Sequence, residues 1–248
     1  MAEKIDIKSI LFFDIETVPL TASFAELNEE MQHLWADKAA KLQRSMPERF
    51  SAEIPIEEQF NNAGTYAEFA RVACISVGYF ADVEGETYFR VKSFYNDNEA
   101  MLLQEFKQMI EVAFSYKNRL RYLCGHNIKE FDVPFICRRM LVNGIELPSV
   151  IDVAGKKPWE SGFVDTLELW RFGDFKNYTS LKTLTAIFGI PTPKDDIDGS
   201  QVRDVYYNEH DIERIATYCQ KDVVATARVY MRMRMLPFVE EDKIVIVK

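Results

Sequence analysis

The feature that most constrains the fold is the stretch ILFFDIET at residues 10–17. Its four consecutive apolar residues predict a short buried strand. Asp14 and Glu16 follow at once, two positions apart. Because side chains two positions apart in an extended chain lie on the same face, we expect both carboxylates to project together from the end of the strand. Such neighbours raise each other's pKa unless a cation lies between them.

A hard divalent cation with oxygen ligands would relieve this repulsion between Asp14 and Glu16. The competing interpretation is that the strand surfaces into solvent and that its acids are ordinary loop residues. Taken alone, the pair favours the second interpretation, because the chain contains 39 aspartates and glutamates. The choice therefore depends on the rest of the sequence.

The composition limits the class of protein. A chain of 248 residues, 48% of them hydrophobic, is suited to one large α/β domain. The four cysteines form no CxxC pair and there are three histidines, so we expect metal chemistry to use oxygen ligands rather than zinc ligands. The net charge of −9 argues against a broad basic face for nucleic acid, but allows a cleft that binds a few phosphates.

No segment approaches the roughly 20 apolar residues that span a bilayer, so we expect no membrane association. The opening residues MAEKIDIKS carry charges where a signal peptide would be apolar, which predicts a cytoplasmic protein.

Strands that alternate with helices after an early hairpin predict an α/β fold with a mixed sheet and helices on both faces. The predicted hairpin joins residues 72–80 and 87–94, and the predicted helices and later strands cover the ranges that follow. Helices are expected at 98–114, from 132 to about 143, at 180–188 and at 209–235, and short strands at 121–124, 162–164 and 243–248.

The connection between the first strand and the hairpin is too long for a turn. Apolar residues recur at helical spacing from 24 to 42, and a second helical piece is expected around 66–70. We predict a single domain over residues 1–248 with a helical insertion at about 20–70. The insertion is either a packed surface excursion or a lid beside the acids.

Further polar residues stand at two strand ends. Asp132 closes the segment HNIKEFD, which also contains Asn127 and Phe131, at the junction between a strand and a helix. A helix N-cap is the competing explanation for Asp132, since aspartate is a favoured capping residue. Asp165, in FVDT, is the weakest candidate for the site.

Near the C-terminus, Tyr218 and Asp222 lie four residues apart in YCQKD and therefore on one face of the longest predicted helix. A solvated helix side is the alternative. The three patterns Asp-x-Glu, Asn-x-x-x-Phe-Asp and Tyr-x-x-x-Asp occur in this order. With them the sequence resembles the DEDD superfamily of 3′–5′ exonucleases, which has a ribonuclease-H-like fold, and within it the DEDDy branch.

The resemblance is closest to free-standing proteins related to the exonuclease domain of family B DNA polymerases, and it covers about residues 9–235. The insertion departs from the common core, and no polymerase domain is present. The resemblance implies that Asp14, Glu16, Asp132 and Asp222 hold two Mg²⁺ or Mn²⁺ ions. Two such ions about 3.5–4 Å apart activate the attacking water and stabilise the leaving 3′ oxygen.

The implied reaction removes nucleoside monophosphates from the 3′ end of a single-stranded nucleic acid. We expect DNA rather than RNA, although no residue here identifies the sugar. Tyr218 stays protonated at neutral pH and would orient the attacking water rather than act as a base. A catalytically silent module that binds single strands is the main alternative, and a metal-binding α/β protein unrelated to nucleic acid is a third.

Three residues are predicted to contact the substrate: Asn127, Phe131 and Lys182. Lys182 starts a helix after a polar loop and is a candidate phosphate ligand, with a solvated charge as its alternative. Phe131, Phe163 and Tyr178 are candidates for stacking on bases, with a core position as the alternative for each.

Overall fold

The computed structural model describes residues 5–157, 160–176, 178–191 and 196–247. Six strands form one sheet in the order β5-β4-β1-β2-β3-β6. β2 is antiparallel to both β1 and β3, whereas β4 pairs with β1, β5 with β4, and β6 with β3 in parallel. The strands are β1 (Ile10–Pro19), β2 (Ala70–Val83), β3 (Glu86–Tyr95), β4 (Tyr122–Gly125), β5 (Phe163–Asp165) and β6 (Ile244–Val247).

β1 lies inside the sheet and is buried on both faces over its first half. Leu11 and Phe13 pack into one hydrophobic cluster, whereas Ile10 and Phe12 pack into another on the opposite face. A strand that must fill two cores needs an uninterrupted apolar run, which explains the sequence ILFF.

Helices cover both faces of the sheet. α3 (Glu99–Ala113) and α4 (Asp132–Val142) pack on the face of Leu11 and Phe13. The long helix α8 (Ile212–Met233) packs on the face of Phe12. Gly78 of β2 allows this approach, because a Cβ there would lie 2.8 Å from a methyl carbon of Val223 on α8. The predicted α/β fold, a mixed sheet with helices on both faces, is confirmed.

The predicted hairpin is also confirmed, and its strands are longer than expected. Glu84 and Gly85 form its two-residue turn, and both have positive φ. A two-residue turn lets the two strands stay paired up to the turn itself. The hydrophobic pattern alone does not show how far this pairing extends.

The region between β1 and β2 contains α1 (Glu29–Ser45) and α2 (Ile56–Phe60). Its apolar residues form a separate cluster around the fully buried Trp35. The helix expected around 66–70 is wrong, since Ala70 already begins β2. Two hydrogen bonds tie the region to the end of β1: the Thr17 hydroxyl donates to the Gly64 carbonyl (2.7 Å) and the Leu20 N–H to the Phe69 carbonyl (2.9 Å).

The remaining helices are short. They are α5 (Thr166–Arg171), α6 (Leu181–Ile187) and α7 (Val202–Asp204), which continues as a π-helical turn over Val205–Glu209. α8 begins at Ile212, whereas the pattern predicts a start at 209. The helix cannot begin earlier because His210 adopts a left-handed conformation. Among the described residues, no helix is both long enough and apolar enough to cross a membrane.

Candidate metal centre

The candidate centre begins at the end of β1, where the apolar run gives way to acids. Asp14 pairs with Ser76 and Glu16 with Cys74 across the β1–β2 ladder, and the register shifts immediately after Glu16. Both acids are half-buried. As residues two apart from Phe12, they project from the face that α8 covers. The irregularity ends regular pairing at this point, as bulges commonly do beside active sites.

Cys219 on α8 meets this pair. Its thiol is 3.4 Å from the Asp14 carboxylate and 3.4 Å from the Asp14 carbonyl oxygen. Among the described residues, Asp14, Glu16 and Cys219 form a group whose ligand atoms all lie within 4.8 Å of one another. The sequence pattern predicted oxygen ligands, and Cys219 was not among the predicted site residues. The position of Cys219 between Tyr218 and Asp222 was the sequence signal that could have identified it as a residue of this centre.

Asp132 reaches the pair from the other face of the sheet. It is the first residue of α4, and the N-cap position is occupied by Phe131, so the interpretation of Asp132 as an N-cap is wrong. Its carboxylate lies beside the backbone N–H of Ile15, between Asp14 and Glu16. Burial raises the pKa of Asp132 to about 7, and the nearby Asp165 adds to the shift.

Asp222 and Tyr218 approach from α8, one helical turn apart. Both are half-buried. The Tyr218 hydroxyl donates a hydrogen bond to the Asp222 carboxylate, and burial, followed by the charges of Asp222, Glu16 and Asp14, raises the Tyr218 pKa far above its usual value. The alternative of a solvated helix side is therefore wrong for this pair.

The carboxylates act on one another electrostatically. Burial raises the pKa of Asp14 well above its usual range, and Asp222, Asp132 and Glu16 raise it further. Burial likewise raises the pKa of Glu16, with Asp222 the largest charged contributor. The charges of four acids from three separate segments thus act on one another, and two of them, Asp14 and Glu16, belong to the group whose ligand atoms lie within 4.8 Å of one another.

This donor set fits a hard divalent cation. Carboxylate oxygens are the ligands that Mg²⁺ and Mn²⁺ prefer, and a cation would lower the repulsion that raises these pKa values. Asp14, Glu16, Asp132 and Asp222 are the residues that could hold it. Cys219 offers a softer sulfur beside them.

Asp165 has a different role from the one the sequence suggested. It is buried and caps α5 by accepting the N–H groups of Leu167 and Glu168. The same carboxylate accepts the N–H groups of Asn127 (3.0 Å) and Lys129 (3.2 Å). Asp165 therefore fixes the loop that leads to Asp132.

The three predicted substrate residues lie in different settings. Asn127 adopts a left-handed conformation with φ of 65° in the loop that Asp165 holds. Phe131 is half-buried and packs on Phe135 with ring centroids 5.5 Å apart. Lys182 is exposed in the first turn of α6, and its charge helps to lower the pKa of Asp198.

Two candidates for stacking differ in exposure. Phe163 packs against the cluster around Leu11 and Phe13, as its alternative proposed. Tyr178, in contrast, is 64% exposed and is not a core residue.

Comparison with known proteins bears on the same residues. A family model described as a predicted 3′–5′ exonuclease related to the exonuclease domain of PolB matches residues 65–239. The chain belongs to this family. The match confirms the resemblance drawn from the motifs and supports exonuclease function in general. It contains Asp132, Tyr218 and Asp222 but begins after β1, so it does not include Asp14 and Glu16. A comparison with curated proteins found no match.

Proposed function

We propose that this exonuclease-family protein is a metal-dependent 3′–5′ exonuclease that degrades single-stranded nucleic acid, with DNA preferred over RNA, to nucleoside monophosphates. The observation that carries the proposal is the convergence of Asp14, Glu16, Asp132 and Asp222. Buried acids that raise each other's pKa are costly for stability, so such a cluster is expected where function requires it.

In the proposed site, these four carboxylates hold two Mg²⁺ or Mn²⁺ ions. When bound, the ions would supply Lewis-acid activation of the attacking water and charge stabilisation of the leaving 3′ oxygen. Cys219 positions the first ligand, because its thiol donates to the Asp14 carboxylate. Asp165 positions the loop before Asp132 through the N–H groups of Asn127 and Lys129.

Tyr218 would orient the attacking water. Its raised pKa keeps the hydroxyl protonated at neutral pH, so it can donate a hydrogen bond but is a poor base. In the structure that donor points to Asp222, which places the hydroxyl at the edge of the acid cluster.

The proposed substrate contacts are Asn127, Phe131 and Lys182. Asn127 and Phe131 lie five residues and one residue before Asp132 in the sequence. The terminal nucleotide would lie beside this segment. Lys182 would bind a phosphate with its exposed ammonium group. These roles rest on the position of the residues and on the family.

We also propose that residues 1–248 act as one domain and that the region around α1 and α2 is an insertion. Its own cluster around Trp35 supports this view. Its hydrogen bonds to Thr17 and Leu20 place it directly after Glu16, where it could border the substrate path.

The test uses purified protein with 5′-labelled single strands of DNA and of RNA, in Mn²⁺, Mg²⁺ or EDTA. We expect products that shorten stepwise from the 3′ end, and no cleavage in EDTA. A strand blocked by a 3′-phosphate should resist. Cleavage of a closed circular strand would show an endonuclease, and tight binding without any cleavage would identify a silent binding module.

A further inference from the structure

Three large aromatic side chains within seven residues of sequence are exposed in the segment between α5 and α6. Phe172 is 90% exposed, Phe175 76% and Tyr178 64%. Single exposed hydrophobic residues are common on protein surfaces, but a local group of large aromatics indicates an interaction site.

Tyr178 is attached to the segment that carries Asp132. Its ring meets the His126 ring edge-on, with centroids 6.3 Å apart. Both ring nitrogens of His126 are hydrogen-bonded, Nδ1 with the Thr166 hydroxyl (2.9 Å) and Nε2 with the Thr179 carbonyl (2.9 Å). Burial, followed by the charges of Asp132, Asp165 and Asp14, raises the pKa of Tyr178, and these charge effects agree with a position beside the acids.

Phe175 is attached to the same segment through Arg171. The Arg171 guanidinium lies 5.9 Å from the centre of the Phe175 ring and 3.7 Å from the carboxylate of Glu130, two residues before Asp132. Arg171 is 13% exposed. Its Nε is buried without a hydrogen-bond partner among the residues that the structure describes. The 3.7 Å ion pair with Glu130 is longer than a hydrogen bond, so the terminal nitrogens of this guanidinium keep donors for an anion.

Aromatic rings beside an arginine are the groups that bind single-stranded nucleic acid. Bases of any sequence stack on aromatic faces, and a guanidinium pairs with phosphate. The net charge of −9 gives the chain little general attraction for a polyanion, so local contacts must hold the strand.

We propose that Arg171, Phe172, Phe175 and Tyr178 form an aromatic subsite for the nucleotides that lie 5′ to the cleaved one. The inference rests on the proposed function: the terminal nucleotide occupies the acid centre, and the strand leaves it on the 5′ side. Phe175 and Tyr178 stack on bases, Phe172 extends the platform, and Arg171 binds a phosphate.

The chain offers a matched control. Tyr116 is 85% exposed and lies beside a cation, with the Lys117 ammonium 5.7 Å from its ring centre. It precedes β4, whereas Asp14 and Glu16 follow the start of the parallel strand β1, so Tyr116 lies at the opposite end of these strands. Tyr116→Ala removes an equally exposed aromatic without touching the proposed subsite.

The experiment measures binding in an Asp14→Asn background, which prevents cleavage, with Mn²⁺ present. Fluorescence anisotropy gives the Kd for labelled single strands of about 12 nucleotides, intact or with one abasic residue moved stepwise away from the 3′ end. We expect one or more internal abasic positions to weaken binding about tenfold. Phe175→Ala and Tyr178→Ala should each weaken binding of the intact strand about tenfold. In each variant, one abasic position that weakens binding to the background protein should no longer do so. Tyr116→Ala should change neither quantity.

A penalty that disappears with the aromatic ring identifies stacking, whereas a variant that weakens binding to every strand equally and keeps the penalty pattern shows that its ring does not stack on a base. Arg171→Gln should reduce the slope of log Kd against log salt by about 0.7, the value for one phosphate contact in a single strand. Equal abasic penalties in the background protein and both alanine variants would overturn the subsite. If the protein with Asp14 intact still cuts in that case, the proposed function stands; if it neither cuts nor binds, both fail.

Discussion

Two buried acidic sites in this molecule have opposite environments. Glu99, at the start of α3, is 7% exposed and makes a two-point ion pair with Arg139 on α4 at 3.0 and 2.7 Å. The backbone N–H of Val72 and the side-chain amide of Asn143 also donate to it. At the end of β1, by contrast, Asp14 and Glu16 have other carboxylates as their charged neighbours.

The comparison shows how a structural acid differs from a candidate functional one. At Glu99 the guanidinium and two further donors offset the cost of burial, so this site holds α3, α4 and β2 together. Among the described residues, no cationic side chain offsets the burial of Asp14 and Glu16, so this pair lowers stability in the absence of a cation.

The largest effect is expected for Asp14→Ala. Loss of one ligand should lower the cleavage rate by about 10⁴-fold or more, because metal and carboxylates act as one unit. In metal-free buffer the thermal midpoint should stay level or rise, since one repelling charge has gone. Cleavage rates in Mg²⁺ measure the loss of activity, and thermal melts in EDTA measure the midpoint of the metal-free protein. A variant that cuts as fast as the parent would remove Asp14 from the site.

The opposite result is expected at the compensated site. Glu99→Ala leaves Arg139 buried without its partner and should lower the free energy of unfolding by about 3–5 kcal/mol. Activity per folded molecule should remain close to that of the parent. Urea unfolding together with single-turnover rates separates stability from chemistry. A drop in rate without a drop in stability would contradict the contrast between the two sites.

Tyr218→Phe should have an intermediate effect. Removal of one positioning hydroxyl typically lowers a rate by about 10²-fold. The fold and Mn²⁺ binding should persist, because the ring still packs against the cluster around Cys219. Single-turnover rates at saturating Mn²⁺ measure the loss. Equal rates for parent and variant would show that Tyr218 only fills space.

The pH dependence of stability is the smallest effect when it is expressed per pH unit. The folded-state pKa of Asp132 is about 7, above the value of about 3.9 for an unfolded aspartate. The folded state therefore binds the extra proton, and raising the pH from about 4 to 7 should destabilise the metal-free protein. One group contributes up to about 1.4 kcal/mol for each pH unit in this window.

Asp132→Asn supplies the control for this prediction, because it removes one titrating group and should make the pH profile less steep, while Asp14 and Glu16, whose pKa values are also raised, keep the remainder of the slope. Mn²⁺ at pH 7 should restore much of the lost stability in the parent protein. Metal-free melts of parent and variant at several pH values give the comparison. Identical slopes would mean that Asp132 does not titrate in this window.

Much of the fold was predictable because its signals are local. The alternation of strands and helices, the hairpin and the start of α4 follow from hydrophobic period and turn residues. The helix expected around 66–70 was wrong because pairing of Ala70 with Pro19 extends β2 to that point. Long-range pairing overrides a weak local pattern.

For the site, the sequence determined which residues share a face. Asp14 and Glu16 project together because the side-chain period of a strand is two, and Tyr218 and Asp222 because a helix repeats after about four residues. The motif order added the family to this local information. None of these signals specifies a distance between segments.

Only the tertiary structure decided which aspartate caps a helix and which joins the acid centre. By sequence, Asp132 was a predicted metal ligand with a cap as the competing explanation, and Asp165 was the weakest site candidate; in the structure, Asp165 caps α5 and Asp132 lies beside the backbone N–H of Ile15. Cys219 meets Asp14 for the same reason, since α8 crosses the sheet there. The environment of a carboxylate depends on segments more than a hundred residues away, and only folding brings them together.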